Sequence, residues 1–480
     1  MTTTNQLPVL QPEERVLSTL DQDGRRRWLS PRLSTGRFWS RRRLVAYGLI
    51  ALYTLLPFIR IGGRPAIQLD LFNGRFALFG LELRPTDLEL LAVFGLLVGL
   101  SIFFLTAIFG RVWCGWGCPQ TVYMEFVFRP LERFFTGVSG RGGKPRGSVP
   151  AWRSGLMYLV FLVICWHLAN TFLAYFVGVE ALHRWIWTQP PWAHPGAFAL
   201  VLSVTVLMMF DFCYWREQMC IIGCPYGRFQ SVLLDPSSLI VGYDKRRGEP
   251  RGRGRDRQEK GLGDCVNCHM CVDVCPTGID IRDGLQLECI NCTQCIDVCD
   301  SVMDRVGTPR GLIRYSSQRA LAGEPTRIVR ARVLIYAGVI LGLLILFLTL
   351  LTNRRPFDVT LLRGLGRPFS TAPGGEIENL LRAKIVNRGT AANRYQIEVL
   401  SPATVHLAEV RTLEIEAGDS LTEPIRLLAP STAFAERGGT LEIALRFRDQ
   451  TEGQVELNYW LFGPAKVPSP APSSNLLSNP

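Results

Sequence analysis

The chain has 480 residues, enough for two or three domains, of which 48% are hydrophobic and 20% charged. The two kinds are segregated into alternating blocks, which excludes one water-soluble globule. The net charge of +12 sits largely in basic runs beside apolar blocks, so it fits an anionic lipid surface and argues against nucleic acid as a partner.

In chain order, residues 1–43 carry no apolar core, so a cytoplasmic segment without a cleavable signal is expected there. Five blocks then approach the roughly 20 apolar residues that cross a bilayer: Leu44–Ile59, Leu90–Phe109, Gly155–Val179, Gly196–Phe210 and Val333–Leu351. The first and fourth are short and also fit buried core helices. Region 44–215 is predicted as four transmembrane helices in two hairpins, and 333–351 as a fifth. Lys and Arg number nine in 1–43, four in 60–87, seven in 110–153, one in 180–195 and seventeen in 214–330. That alternation is the positive-inside pattern, placing the N-terminus in the cytoplasm and the C-terminal part outside.

Each hairpin is followed by C-x-x-x-C-P. "RVWCGWGCPQ" carries Cys114 and Cys118, and "REQMCIIGCPYG" carries Cys220 and Cys224, 106 positions later. The same offset superposes the preceding apolar segments, so an internal duplication is expected.

The fourteen cysteines all lie at or before Cys299, so the predicted external part has none. A secreted disulfide framework would show the reverse; these thiols bind metal or do redox work. After a basic linker (216–263), the segment 264–304 repeats C-x2-C-x2-C-x3-C. In such a repeat the fourth thiolate of each run ligates the other run's cluster. Cys265, Cys268, Cys271 and Cys299 are therefore expected on one 4Fe–4S cluster, and Cys289, Cys292, Cys295 and Cys275 on a second. Two zinc sites are the alternative. Asp300 stands where proline usually follows the last cysteine, which leaves the local turn open. His269 inside the first run reads as an exposed loop residue. Segment 264–304 holds eight acidic residues against Arg282 alone, which should lower the cluster potentials.

A second linker (305–332) leads to the fifth helix. Beyond it, 352–480 shows short alternating runs such as "TLEIALRFRD" and "QVELNYWLFG", separated by turn residues. They predict an immunoglobulin-like β-sandwich with a flexible tail. Cys165 and His167 lie near the middle of the third block, where an ionisable group is costly. His167 is read as a hydrogen-bonded packing residue or a copper, quinone or proton contact. His183 and His194, among Trp185, Trp187 and Trp192, read as an interfacial aromatic belt, with a metal site as the alternative. Met208 and Met209 read as packing or lipid-facing residues, with a role as soft metal ligands as the alternative.

The order of these parts resembles the cytochrome c oxidase accessory protein family, the CcoG/FixG/RdxA group. "PFIRIGGRPAIQLDL", "DFCYWREQMCIIGCPYGRFQSVLLDPSSLIVGYDKRRGEPRG" and the ferredoxin runs carry the likeness. It implies a multi-pass bacterial inner-membrane protein with two 4Fe–4S clusters, the N-terminus and ferredoxin domain cytoplasmic and the C-terminal domain periplasmic. It also implies an oxidoreductase that reduces Cu(II) to Cu(I) during assembly of cbb-type cytochrome oxidase. Its partners would be assembly and copper-handling proteins and a cytoplasmic electron donor the sequence does not name. On a helix, residues i and i+4 share a face. Cys114/Cys118 and Cys220/Cys224 are therefore expected to offer paired thiols to copper or to a third redox centre; structural thiols or a labile disulfide are the alternatives. A quinol-oxidising subunit like the NapH-type membrane ferredoxins shares the C-x-x-x-C-P pairs but lacks the sandwich. A non-enzymatic assembly scaffold is a third reading.

Overall fold

The computed structural model describes residues 18–20, 25–71, 74–83, 87–137, 149–253, 261–327, 329–353, 356–364, 366–389, 391–409, 412–435, 438–450 and 453–465. The start of the N-terminal segment, the centre of the basic linker and the predicted tail lie outside the described residues. The chain divides into two compact units, Met1–Leu348 and Thr349–Pro480.

Four helices among the described residues are long and apolar enough to cross a membrane: Leu88–Phe109, Ala151–Val177, Pro195–Trp215 and Ala331–Thr352. They coincide with the expected second to fifth blocks. The third ends at Gly178, whose φ of 83° leaves the helical region, and the fourth runs on through a π-helical turn, Asp211–Trp215. The first block differs. Its helix, Arg37–Leu55, opens with Arg37, Arg41, Arg42 and Arg43 and gives way at Pro57 to a 3₁₀ turn, Leu56–Phe58. The stretch between the first two blocks, read only as a connecting loop, folds into a short hairpin and an antiparallel meander, Ile67–Asp70, Arg75–Leu78 and Leu81–Leu83.

The cysteine-rich segment is closed like a purse. Strand Ile240–Tyr243 before it pairs antiparallel with Ile313–Ser316 after it, Ile240 opposite Ser316. Val241, Tyr243, Leu312 and Ile313 are buried together with the cysteine runs, so the closing strands also supply the apolar wall.

The second unit is two antiparallel sheets. One orders strands His406–Leu407, Ser420–Ala429, Ile377–Asn387 and Phe357–Arg363, with Ser370–Thr371 also paired to Ile377–Asn387; the other orders Leu413–Ile415, Asn393–Ser401, Thr440–Asp449 and Gln454–Phe462. Period-two alternation decides the faces: Leu441, Ile443, Leu445 and Phe447 are buried while Glu442 and Arg448 point out. Phe357, Tyr395, Phe434 and Phe447 are wholly buried in the resulting core. Phe447→Ala should cost about 3–5 kcal/mol, read as faster hydrogen exchange in strand Thr440–Asp449 with unchanged exchange in the cysteine-rich segment.

Candidate metal centre

Two cavities lie side by side in the cysteine-rich segment. Cys265, Cys268, Cys271 and Cys299 line the first, with Tyr243, Arg282 and Met303 among its other walls. Cys275, Cys289, Cys292 and Cys295 line the second, with Cys271 at its edge and Val241, Ile279 and Ile281 as apolar walls. Each cavity takes three thiols from one run and the fourth from the other, the exchange that the spacing predicts.

The backbone of the two runs repeats. Counting from the first cysteine of each, the residues two and four places on adopt left-handed conformations: Asn267 (φ 51°) and His269 (57°), then Asn291 (54°) and Thr293 (62°). Left-handed residues alternating with right-handed ones turn successive N–H groups into a concave nest, a conformation that receives anionic iron–sulfur clusters. Non-glycine residues pay steric strain for it, Asn and His less than most. His269 is exposed, as expected, and its Nδ1 lies 2.8 Å from an Arg282 nitrogen. The runs diverge just before their last cysteines. Pro276 follows Cys275 and the first helix stops at Asp273, whereas Asp300 lets helix Gln294–Val306 continue and accepts the Gly311 N–H at 2.9 Å.

Burial dominates the electrostatics. It pushes the Cys289 thiol up to about 11 and Cys292 and Cys299 up to about 12, and it raises Cys271 and Cys295 as well. Arg42 pulls Cys292 the other way and Arg111 does so for Cys289. Thiolates so placed ionise when a cation takes the proton's place. Among the described residues no three His, Cys, Asp or Glu side chains gather tightly enough for one metal ion. A single zinc ion needs that tight gathering, while a four-iron cube keeps its thiolates farther apart. Cavity, nest and donor set thus fit clusters rather than zinc.

The first C-x-x-x-C-P segment docks on the loop that lines the second cavity. Helix Val112–Trp116 carries Cys114, and a Cβ on Gly115 would lie 2.6 Å from the Ile290 carbonyl oxygen and 2.7 Å from that of Asn291. Glycine is what lets this helix touch the ligand loop. Arg111 donates to the Cys289 carbonyl at 3.3 Å, and the wholly buried Arg42 donates to the Gly115 carbonyl at 2.9 Å, its two terminal nitrogens having no hydrogen-bond partner among the described residues. The two motifs also meet each other. The Cys114 thiol donates to Gln230 Oε1 at 3.1 Å on helix Pro225–Leu233, and Thr106 lies 3.2 Å from the Tyr226 hydroxyl.

The duplication extends to hydrogen bonds, Cys118 N–H to Trp113 O (2.8 Å) and Cys224 N–H to Met219 O (2.7 Å). One expectation is corrected here. The paired thiols do not share one helical face, because Cys118 (ψ 126°) and Cys224 (ψ 110°) are extended N-cap residues of the helices that Pro119 and Pro225 begin. Proline disfavours the helical conformation in the residue before it, so each helix breaks between its two cysteines. The four thiols nevertheless act on one another. Burial, then Cys118 and Cys224, raise Cys114 to about 12 against Arg111; burial first, then the other three thiols, raise Cys220 strongly.

A buried ion network locks this junction and was not anticipated. Glu125 and Arg129 pair four residues apart, Arg129 lies 3.6 Å from Glu217, and Arg216 pairs with Glu132 at 3.0 Å. Gln294 of the ferredoxin helix donates to Glu125 at 3.2 Å. Burial alone would raise the Glu125 carboxyl, but Arg129, Arg42 and Arg133 hold it below the usual carboxylate range. Only the i,i+4 spacing of Glu125 and Arg129 hinted at it in the sequence. Arg42→Gln should lower the potential of the cluster that Cys292 holds more than that of the other, since Arg42 is the largest influence favouring the Cys292 thiolate; redox titration by electron paramagnetic resonance checks this.

His167 is exposed on its helix, not packed as one reading had it. His194 stacks on Trp185 (3.9 Å between centroids), beside exposed Trp187 and Trp192, the arrangement expected of an aromatic belt.

Membrane-crossing helices joined to a nest-bound pair of cysteine cavities define a membrane iron–sulfur electron-transfer protein. Comparisons agree. Residues 215–318 match the 4Fe-4S dicluster domain, 91–137 a 4Fe-4S binding domain, and 347–464 the IG-like fold at the C-terminus of FixG. Protein RdxB of Cereibacter sphaeroides is 32% identical over 88% of this chain and 93% of its own length, and RdxA of the same organism 31% over 87% and 93%. Nitrogen fixation protein FixG of Rhizobium meliloti is 32% identical over 76% and 77%. The chain belongs to the FixG/RdxA family. The crystal structure of a FixG-related protein from Vibrio parahaemolyticus aligns with 23% of this chain and 98% of its own, at 20% identity and a TM-score of 0.21.

Proposed function

We propose that this protein is a cupric reductase of the bacterial inner membrane, passing single electrons to Cu(II) and supplying Cu(I) for assembly of a cbb-type cytochrome oxidase. The observation that carries this reading is the docking of the first C-x-x-x-C-P segment against the Cys289–Cys292 loop, with the helix after the second motif bonded to Cys114. Cys265, Cys268, Cys271 and Cys299 would hold one cluster, and Cys275, Cys289, Cys292 and Cys295 the other. When bound, the clusters supply single electrons at low potential. Cys114, Cys118, Cys220 and Cys224 would receive copper. Their thiolates are soft and favour Cu(I) over Cu(II), so binding there raises the tendency of Cu(II) to accept an electron. They form no closed single-ion cage, which suits an ion that arrives and leaves. Arg111 steadies the loop between the two centres, and the Glu125–Arg129–Glu217 network fixes its distance.

The test is anaerobic. The protein is reduced, freed of reductant and given Cu(II) together with a Cu(I)-specific chelator. Cu(I) should form one for one with the electrons loaded. No Cu(I) at any loading overturns the reading, and cluster reduction by quinol without copper turnover would favour the quinol-oxidising alternative.

We read helix Arg37–Leu55 as a fifth crossing, its exposed Arg37, Arg41 and Arg43 reaching back to the cytoplasmic surface while Arg42 turns inward. A reporter after Asn353 should then be active only as an external fusion, and one near Arg253 only as a cytoplasmic fusion; the opposite pair would invert the topology.

A further inference from the structure

We propose that Cys165 and Cys213, with the thioethers of Met124, Met157, Met208 and Met209, form a separate all-sulfur site that holds one Cu(I) within the membrane-spanning part of the protein. Met124, Met157 and Cys165 are buried in a single core cluster, and Met208, Met209 and Cys213 pack against it. The chain has eight methionines, so half of them meet in one small core beside two thiols. Cys165 is wholly buried on helix Ala151–Val177, and Cys213, in the π-helical turn Asp211–Trp215, packs against the same cluster.

The backbone around the cluster is unusual in the same place. Met124 begins one π-helical turn, Met124–Phe128, and Cys213 lies in another. The two turns face each other through stacked Phe128 and Phe212 rings, 4.1 Å between centroids. A π-turn widens a helix, weakens its own hydrogen bonding and occurs mostly at functional sites. Methionine fills gaps in ordinary cores, but gap filling requires neither the paired thiols nor two facing π-turns. A site built of thiols and thioethers selects a soft monovalent ion and rejects harder Zn²⁺ or Fe²⁺. Asp211, in the same π-turn as Cys213, accepts a hydrogen bond at 3.1 Å from Gln120, two residues after Cys118, and so links this cluster to the C-x-x-x-C-P thiols. Copper reduced at the surface thiols thus has a sulfur-lined place to go next. Ligation exchanges the two thiol protons for one Cu(I), and no electron moves.

The choice of copper among soft ions rests on the proposed function, so the test reads binding rather than turnover. The full chain carrying Cys114→Ser, Cys118→Ser, Cys220→Ser and Cys224→Ser is titrated anaerobically with Cu(I) against bicinchoninate, with iron content as the control for folding. It should bind one Cu(I), with sulfur as the sole ligand in X-ray absorption. Adding Cys165→Ser and Cys213→Ser should abolish that equivalent. Met208→Leu with Met209→Leu, a swap of similar volume, should weaken it by about tenfold or more. A background variant that binds no Cu(I), or binding indifferent to the serine pair, overturns the site. Where the serine pair lowers the iron content, the methionine variants decide alone, and unchanged affinity in them overturns it. Wild-type protein that binds this Cu(I) but reduces no Cu(II) would end the reductase reading and leave the site standing.

Discussion

Replacing Cys114, Cys118, Cys220 and Cys224 with serine should leave the iron content near that of the wild type and reduce Cu(II) turnover by more than about a hundredfold. The two outcomes separate because the four thiols line neither cluster cavity. Serine is nearly the same size as cysteine, so the Gly115 contact with the Ile290 and Asn291 carbonyls survives and the ligand loop keeps its shape. What is lost is soft donation. A hydroxyl at these positions stays protonated and binds Cu(I) poorly, so copper no longer rests beside the electron source. Iron analysis, the visible spectrum and the chelator assay on one preparation decide it. Full turnover by the quadruple variant would make the four thiols fold elements, and copper would have to meet its electrons elsewhere.

Pairs of cluster-cysteine variants should reveal the exchange of ligands between the runs. Wild-type protein isolated without oxygen should carry about eight irons; zinc in their place, without broad absorbance near 400 nm, would sink the cluster assignment. Cys275→Ser with Cys292→Ser removes two ligands from the same cavity and should leave about four irons. Cys275→Ser with Cys268→Ser strikes both cavities, although both residues belong to one run, and should lower the iron far more. If each run held its own cluster, the two results would be reversed. The expected direction follows from the cavity walls, where Cys275 stands with Cys289, Cys292 and Cys295, and Cys299 with Cys265, Cys268 and Cys271.

Much of this was legible in the sequence for physical reasons that can be named. Iron–sulfur ligation depends on short spacings along one loop, and a bilayer imposes length and apolarity on any helix that crosses it. Alternation of two residues marked the sandwich strands, and the recurrence at an offset of 106 residues marked the two halves. The break between the paired thiols was also within reach. Pro119 and Pro225 dictate an extended residue before them, and the helical-face expectation failed by weighing spacing above that local rule.

Sequence alone therefore determined the cluster chemistry, the apolar spans, the duplication and the β unit, because each is written in local spacing or periodicity. Tertiary structure alone decided that Gly115 brings the first thiol motif onto the ligand loop, and that Glu125, Arg129, Arg216 and Glu217 interlock beneath it. It also decided that Cys165 and Cys213 meet among four methionines. Those partners are separated by tens to hundreds of positions, and nothing in the local pattern of a buried arginine or methionine says what it will face. Their meeting is fixed by helix packing, where close approach at small residues and the high cost of leaving a buried charge unpaired leave few arrangements open.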